Sequence, residues 1–548
     1  MFPRRFLLPV VVAGSALIGL SALTHAAEPW RSALYPKDWK PGFADAGGRF
    51  LHDFSYAGYR SGGVPIPDVQ GPVLDVTKAP FLADATGKED ATAAIQAALD
   101  QAGAKGGGVV FLPAGTYRIQ PAADQKAALM LRHSGVVLRG AGADKTFLFN
   151  DTYQMREKSV ISIRAEQPTD WHDEKGVAKS PIVGDLPNMA TVIPVEDVSH
   201  FSVGDPVILR ADHTQRFIDE HGMTGKWKPA GSWSPNRTLM FPRRVVAVDP
   251  ATNKLTIDVP TRYPMKSADM ARVCKVNGTE LKEVGLEDFS IGMKEHPGEG
   301  WGEDDYKTAG TGAYDAYLSR AIGFGFAENC WIRRVNSYSP AGNVKGFHTL
   351  SNGIGIYRSR FVTIEDCDWR LPQSRGGGGN GYHYTLMGSD CLVRNCHAER
   401  GRHNYDIGTM PATGNAIVDC TSKDGAHASD FHMYLSPANL FDNTTCDGDF
   451  LEARANRPWG VPQHGLTTTQ SVFWNTNGLR YSAERAVLVQ SQQYGDGYVI
   501  GTRGPASKVD SNDFVEGVGE SATLEPQSLY ADQLARRLAA KKVPASGK

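Results

Sequence analysis

The chain of 548 residues carries 58 lysines and arginines against 60 aspartates and glutamates, and it contains 59 glycines. Because nucleic-acid-binding proteins usually carry a basic excess, this balance gives no reason to expect a nucleic-acid partner. The glycine content suits a fold with many tight turns, and the length exceeds that of one ordinary domain.

Residues 1–26 are typical of an export signal. A basic pair, Arg4 and Arg5, precedes an apolar stretch, and the small residue Ala26 ends the segment. The apolar stretch is short for a membrane span, and no other run in the chain approaches the length that a span needs. The sequence therefore predicts a periplasmic or secreted protein without a membrane anchor.

Residues 27–80 are rich in Pro, Trp and Tyr, and we expect them to form a leader along the outside of the fold. Residues 81–150 contain the sequence DATGKEDATAAIQAALDQAGAKGGGVVFLPAGTYRI. Apolar residues such as Ile95 and Leu99 recur there at helical spacing, the three glycines end the helix, and VVFLP has the composition of a buried strand.

This stretch resembles the N-terminal signature of the pectate-lyase-like superfamily, in which LPAGTY begins the first turn. The resemblance implies an all-β fold, a right-handed parallel β-helix whose open end is capped by the preceding helix. A solenoid needs such a cap to shield the apolar residues of its first turn. The implied function is broader, because the superfamily contains polysaccharide lyases, glycoside hydrolases and phage tailspikes.

Residues 151–275 interrupt this pattern. Within them, residues 190–262 alternate between apolar and polar side chains as half-exposed antiparallel strands do, which predicts a small inserted β subdomain beside a groove. Residues 294–312 are predicted to form a long loop.

Residues 276–504 carry a degenerate repeat that predicts the main parallel β-helix with its groove. Apolar strands end in Asn or Asp at successive intervals of 30, 29, 24 and 24 residues. We expect these endings to lie in one line along the solenoid: Asn336, Asp366, Asn395, Asp419 and Asn443. Cysteines at matching places, such as Cys396 and Cys420, are expected to form an inward ladder without disulfides. Residues 505–548 are expected to form a tail with a surface helix.

Seven of the 15 histidines fall in one part of this repeat: His348, His383, His397, His403, His427, His432 and His464. Such clustering favours a functional site. Side chains alternate along a strand, so His403 is expected to share a face with Tyr405, and His432 with Tyr434. The tyrosines of successive repeats then form either a core ladder or one side of a groove.

We place these residues in a groove, since buried stacked histidines and arginines are costly without partners. The predicted catalytic residues are His403, His432, Tyr405, Arg400, Asp430 and Asp406. The predicted substrate-binding residues are Arg402, His383, Tyr384, Tyr434, His427, Glu452, Arg454 and Trp459.

Two chemistries suit this set. A lyase acting on a uronic-acid glycan needs a base, a group that neutralises the carboxylate and an acid, which His, Arg and Tyr supply without a metal. A glycoside hydrolase needs two carboxyl groups, for which Asp406 and Asp430 are the best pair. A non-catalytic carbohydrate-binding solenoid is the third hypothesis. We favour the lyase, monomeric and without a cofactor, although pectate lyases of this fold often use calcium.

Overall fold

The computed structural model describes residues 28–171, 175–229, 238–457 and 464–542. The predicted export signal lies outside the described residues. As predicted, the molecule is a parallel β-helix, in which 29 strands form one continuous parallel sheet. This sheet folds into three faces, which we call the covered sheet, the open sheet and the groove sheet.

The covered sheet contains Val73–Asp75, Gly108–Leu112, Val136–Gly140, Leu392–Arg394, Ala416–Val418, Leu440–Asp442, Tyr498–Arg503 and Phe514–Glu516. The open sheet contains Thr86–Asp90, Gly115–Ile119, Thr146–Asn150, Asp368–Arg370, His397–Glu399, Thr421–Lys423 and Thr445–Asp447. The groove sheet contains Ala127–Leu131, Ser159–Ile163, Arg320–Gly325, Tyr382–Ser389, His403–Ile407, Ser429–Phe431, Leu451–Ala453, Val489–Ser491 and Val509–Ser511.

Four long strands bend at a corner of the solenoid, so each of them contributes to two of the three faces. Gly285–Met293, Ala327–Ser337 and Val472–Arg480 run from the covered sheet into the open sheet, and Asn352–Glu365 runs from the groove sheet into the covered sheet. Short strands at Leu281–Lys282, Ser436–Pro437 and Thr468–Thr469 complete the solenoid.

The core is built from inward columns of apolar side chains. One column on the covered sheet follows the parallel register from Val110 through Leu138, Leu286, Ile332, Ile364, Val393, Ile417, Phe441 and Phe473 to Val499. Successive rungs lie about 4.8 Å apart, so each side chain packs directly on the next. The predicted cysteine ladder is part of this core, since all seven cysteines are buried and unbonded to one another.

The predicted Asn/Asp line is confirmed for four of its five members. Asp366, Asn395, Asp419 and Asn443 follow covered-sheet strands at equivalent register positions, each with φ between 51° and 56°. Short polar side chains tolerate this left-handed conformation and bond locally. Asn395 Nδ2 donates to Asp366 Oδ1 at 2.5 Å, and Asn443 Nδ2 to Asp419 Oδ1 at 2.5 Å.

The fifth member, Asn336, was placed wrongly. It continues a strand and pairs with Ser290 in the open sheet. Its expected place belongs to Arg334, which has a φ of 52° and forms an ion pair with Asp288 of the previous rung.

The expected N-terminal cap is helix α1, Thr92–Ala104, whose Ile95, Ala98, Leu99 and Ala102 are buried against the first rungs. The inserted subdomain is also present. Its six antiparallel strands, in sheet order, are Val192–Pro194, Lys254–Ile257, Leu239–Asp249, Pro206–Ala211, Arg272–Lys275 and Lys179–Pro181. Because Ser159–Ile163 is still a rung of the groove sheet, the insertion starts later than residue 151.

Helix α2, Gln215–Glu220, projects from the insertion and packs Phe217 and Ile218 on Met410 and Leu435 beside the groove. The predicted loop at 294–312 leads into the short helix α3, Gly312–Asp315. Turns of 3-10 helix lie at Tyr59–Gly62, Ser267–Asp269, Asp305–Lys307 and Ser521–Thr523.

The leader packs on the outer face of the covered sheet together with helix α4, Leu529–Lys542. Leu34, Phe54 and Leu529 are fully buried there, so the predicted surface helix in fact covers part of the core. None of the helices among the described residues has the length and apolar composition that a membrane crossing requires.

Candidate active site

The groove sheet departs from simple alternation at the start of its rungs. His403 lines the groove, whereas the next two side chains both face the interior. Asn404 Nδ2 donates to the buried Ser422 Oγ at 2.9 Å, and Tyr405 stacks on Tyr384 with ring centroids 5.0 Å apart. Two successive inward residues mark a bend at the corner of the solenoid.

This bend creates two outward columns on the groove sheet. The first runs in register through Arg320, Asn352, Tyr382 and His403. The second, three residues later in each rung, runs through Gly323, Gly355, Thr385, Asp406, Asp430, Glu452 and Gln490. Both columns lie beneath a groove of about 870 Å³.

His403 is held in one tautomer. Its Nδ1 lies 2.7 Å from the carbonyl oxygen of Ala428, which can only accept a hydrogen bond, so Nδ1 carries the proton and Nε2 keeps its lone pair. Burial lowers the pKa of His403 well below its ordinary value, and Asp430 offsets only part of this effect. The ring is therefore neutral near pH 7 and has a free proton acceptor.

Asp430 connects the groups around His403. Its Oδ2 lies 3.1 Å from His432 Nδ1, and it forms an ion pair with Arg457. Burial alone would raise the pKa of Asp430, but its interactions with His403, Arg457 and His432 outweigh this effect and hold the pKa below the ordinary value. Asp430 is thus a carboxylate that orients histidines and an arginine at the groove surface.

Tyr382 supplies a hydroxyl group beside both histidines. Its oxygen lies 3.3 Å from His432 Nε2, and its ring is 4.7 Å from the His403 ring, centroid to centroid. Burial, with the nearby carboxylates Asp406 and Asp430, raises the pKa of Tyr382 above its ordinary value. The phenol therefore keeps its proton and can donate it.

Asp406 differs from its neighbour on the next rung. Neither carboxyl oxygen makes a hydrogen bond of normal geometry to a described residue; Thr385 on the previous rung and His432 Nδ1 at 3.7 Å are its polar neighbours. Burial, followed by the negative charge of Asp430, raises the pKa of Asp406 well above its ordinary value. The pKa values of the two carboxyl groups are thus displaced in opposite directions.

Both aspartates lie below the groove surface. Each is fully buried, whereas Thr385 and Glu452, at the ends of the same stretch of the column, line the groove. His403, His432 and Arg457 line the groove around them. The acid–base groups that reach a bound molecule are therefore the histidines and Tyr382, with Glu452 at the edge.

His403, Asp430 and His432 also form a group whose potential metal-ligand atoms all lie within 4.8 Å of one another. The group does not fit calcium, which prefers several oxygen ligands, because two of its three members are imidazoles. Arg457 is already ion-paired with Asp430. Its positive charge opposes the binding of a metal ion at the same carboxylate.

The rim of the groove is rich in charge. Arg402, predicted for substrate binding, makes two hydrogen bonds of 2.7 Å to Glu303 in the loop after residue 294. His427 lines the same groove, and its Nδ1 lies 3.2 Å from Glu484. Arg320 and Arg485 add further positive charge.

Several predicted site residues lie elsewhere. Tyr405 and Tyr384 are core residues, and the Tyr405 hydroxyl donates to the carbonyl of Cys396 at 2.9 Å. His383 also faces the interior, where its Nε2 lies 3.0 Å from the Glu399 carbonyl oxygen and burial lowers its pKa to about 4. The bend in the rung is the reason for the two tyrosine errors, whereas His383 faces inward because it follows the outward Tyr382.

The remaining corrections concern residues outside the repeat strands. Tyr434 lies in a turn with φ of 57° and packs against the cluster formed with α2, so it does not stack on the other tyrosines. Arg400 is exposed outside the groove. Arg454 lies behind Glu452, to which it is ion-paired at 2.6 Å. Trp459 lies outside the described residues.

Tyr382, Arg457 and Arg320 are among the groove residues that sequence reasoning missed. Tyr382 stands two residues before Tyr384 in YHYTL, and the prediction took Tyr384 as the tyrosine of this rung. Arg457 follows the last strand of its rung and belongs to no repeat, so no pattern in the sequence marks it.

Comparison with known proteins extends the resemblance found in the sequence. A family model described as rhamnogalacturonase A/epimerase, pectate lyase-like, matches residues 80–190, which hold α1 and the first rungs. The chain is 47% identical over 62 residues to mannuronan C5-epimerase AlgE3 of Azotobacter vinelandii, covering 11% of this chain and 3% of that protein. It is 41% identical over 68 residues to alginate lyase 7 of the same organism, covering 12% and 8%.

Solved structures give matches of low identity. The tailspike protein of E. coli bacteriophage HK620, in complex with a pentasaccharide, has a TM-score of 0.43 and 11% identity, covering 81% of this chain and 60% of that one. The A-module of mannuronan C-5 epimerase AlgE6 from Azotobacter vinelandii has a TM-score of 0.31 and 11% identity, covering 81% and 96%. The pectate-lyase-like resemblance is thus confirmed for the N-terminal rungs, and the curated relatives match over only small parts of their length.

Proposed function

We propose that this protein is a polysaccharide lyase that cleaves a uronic-acid glycan by β-elimination in the groove beside His403. The observation that carries the proposal is the placement of the acid–base groups. A neutral histidine with a free Nε2, a protonated tyrosine and an arginine reach the groove, whereas both central aspartates are covered.

In the proposed reaction, His403 Nε2 takes the proton from the carbon next to the substrate carboxylate. The electrons of that C–H bond form the new double bond, and the bond from the neighbouring carbon to the glycosidic oxygen breaks. Tyr382, assisted by His432 at 3.3 Å, protonates the leaving oxygen. Proton transfers at positioned groups of this kind typically contribute about 10²–10⁴-fold to a rate.

Arg457 is proposed to neutralise the substrate carboxylate. Its guanidinium lines the groove, and the charge that develops as the proton leaves lies on that carboxylate and the adjacent carbon. Arginine suits this role because it stays charged and binds a carboxylate with two parallel hydrogen bonds. Asp430 is then a positioning residue for both histidines and for Arg457.

The hydrolase is the second candidate, and one observation favours it. Asp406 and Asp430 have pKa values displaced in opposite directions, which is the usual arrangement for one acid and one base. Their burial opposes it, because a hydrolase needs both carboxyl groups in contact with the sugar or its attacking water.

We further propose that the protein is exported through residues 1–26 and works as a monomer without a cofactor in the periplasm or outside the cell. The charge of Arg457 supplies what calcium supplies in other enzymes of this kind. Activity in EDTA that equals activity in calcium would support this, and a strict calcium requirement would contradict it.

One experiment separates the candidates. The purified protein is incubated with uronic-acid glycans and with neutral glycans in heavy water, and the products are examined by ultraviolet absorbance, reducing-end assay and NMR. The proposal expects new absorbance from an unsaturated product, together with new reducing ends, on a uronic-acid glycan. Reducing ends without absorbance would make the protein a hydrolase. Deuterium next to the carboxylate without chain cleavage would make it an epimerase.

A further inference from the structure

The residues that line the groove are of a different kind at the end that lies away from Glu452. In the second outward column, Thr385 is preceded by Gly355 and Gly323, so two successive rungs carry no side chain there, and Arg320 and Tyr357 lie over Gly355. The first column ends there with Asn352 and Arg320. The glycines therefore leave room for the side chains of Arg320 and Tyr357, which line this end of the groove.

Within the part of the chain that the structure describes, several cations of the groove are already ion-paired, whereas Arg320 is not. Arg402 is ion-paired with Glu303, and Lys307 with Asp304. Arg320 forms no ion pair with any acidic group of the described residues. Its Nη2 donates to the hydroxyl of Tyr357 at 2.5 Å. Its charge is thus available to an anion from outside the protein.

Tyr357 fixes this arginine in place. The Arg320 guanidinium carbon lies 4.8 Å from the centre of the Tyr357 ring, close enough for a cation–π interaction. A Cβ atom at Gly355 would lie 2.7 Å from that ring and 2.8 Å from Arg320 Nε. Glycine at position 355 is therefore a requirement of the Arg320–Tyr357 arrangement.

We propose that Arg320, held by Tyr357 over Gly355, is a subsite that binds the carboxylate of a second uronic-acid residue. Arg320 lies three rungs from His403 along one column, or about 14 Å at the usual spacing of parallel strands. One sugar cannot touch both residues, so the subsite selects chains in which uronic acids recur along the polymer. This inference rests on the proposed function, and it adds that the groove selects polymers in which uronic acids recur.

The test measures binding by calorimetry in a His403→Ala background, which prevents turnover. Arg320→Gln is expected to weaken binding of a uronic-acid hexasaccharide roughly 10- to 100-fold, as expected for the loss of a charge-assisted hydrogen bond. Binding of the same hexasaccharide with its carboxyl groups reduced to alcohols should not change. Gly355→Ala, which displaces Arg320 and Tyr357, should weaken uronate binding in the same selective way.

Arg164→Gln is the matched control. Arg164 follows the neighbouring rung of the same sheet and lies over the ring of Phe326, at 5.3 Å, but it is exposed outside the groove. This variant should bind the uronic-acid hexasaccharide as the parent does. Equal binding by the Arg320→Gln variant, or an equal loss for the reduced hexasaccharide, would overturn the subsite. If the parent binds no uronic-acid hexasaccharide, the proposed function itself fails.

Discussion

The molecule contains two buried clusters of aspartate and arginine, and the two clusters have different roles. At the base of the insertion, Asp390 is fully buried, with Oδ1 at 2.9 Å from Arg262 and Oδ2 at 3.4 Å from Arg243. Arg262 also donates to the carbonyl of Asp53 at 2.7 Å, and thereby joins solenoid, insertion and leader. Each oxygen of the Asp390 carboxylate is therefore paired with an arginine.

Below the groove, the pairing is incomplete. Asp430 is shared by Arg457, His403 and His432, while Asp406 on the adjacent rung has no cation of its own. His432 Nδ1 faces Asp430 on one side and an Arg457 N–H at 3.1 Å on the other, and it cannot donate to one and accept from the other at the same time. A cluster in which both carboxylate oxygens are paired with arginines holds parts together, whereas one that leaves a buried carboxyl group unpaired is prepared for a ligand and for proton transfer.

The largest expected effect is on turnover at the groove cluster. His403→Ala removes the proposed base and should lower turnover by about 10²–10⁴-fold while the protein stays folded. His432→Ala should fall in the same range. Steady-state kinetics on a uronic-acid glycan, with circular dichroism to verify folding, would measure this.

His397→Ala is the control, because His397 is part-exposed on the open sheet and should be dispensable. If Asp406→Asn and Asp430→Asn abolish activity while both groove histidine variants keep most of it, the two-carboxylate hydrolase replaces the lyase.

The next effect is on stability at the insertion. Asp390→Asn leaves two buried arginines without their shared counter-ion, which should lower the free energy of unfolding by about 3–5 kcal/mol. Urea denaturation would show it. Asp288→Asn breaks the partly exposed pair with Arg334 and should cost at most about 1 kcal/mol. Similar losses in both variants would mean that the Asp390 cluster is not the structural link between the units.

The smallest effect is a change in the pH dependence of stability. Because the pKa of Asp406 in the folded protein lies above its unfolded value near 3.8, the folded state binds that proton more tightly. Its contribution to stability is present below pH 3.8 and is lost as the pH rises through the folded-state pKa. Asp406→Asn, which resembles the protonated acid, should be less sensitive to pH in that window. Parallel curves of urea midpoint against pH for both proteins would contradict the assignment.

The sequence was sufficient for the fold because the repeat sets it directly. Asp366, Asn395, Asp419 and Asn443 recur where each rung needs a left-handed residue, and the apolar strands before them have only one stacking solution. Asn336 failed because Arg334 occupies the left-handed position two residues earlier, and nothing in the residue type reveals that exchange.

The site was predicted in part. His403, His432, Asp430 and Asp406 could be found because they recur on neighbouring rungs. Tyr405 and Tyr384 were misplaced because a bend at the start of the rung turns two successive side chains inward. Arg457 approaches Asp430 from beyond the strand, and such a contact depends on the path of the chain after the rung rather than on any repeat.

The central claim is that the reaction begins with removal of the proton next to a uronate carboxylate by His403. The most direct test compares kcat/KM on a uronic-acid glycan with hydrogen at that carbon and on the same glycan with deuterium there. Our account predicts slower cleavage of the deuterated glycan by the wild-type protein and a loss of cleavage of both in His403→Ala. Equal rates on the two glycans, with cleavage retained in His403→Ala, would contradict it.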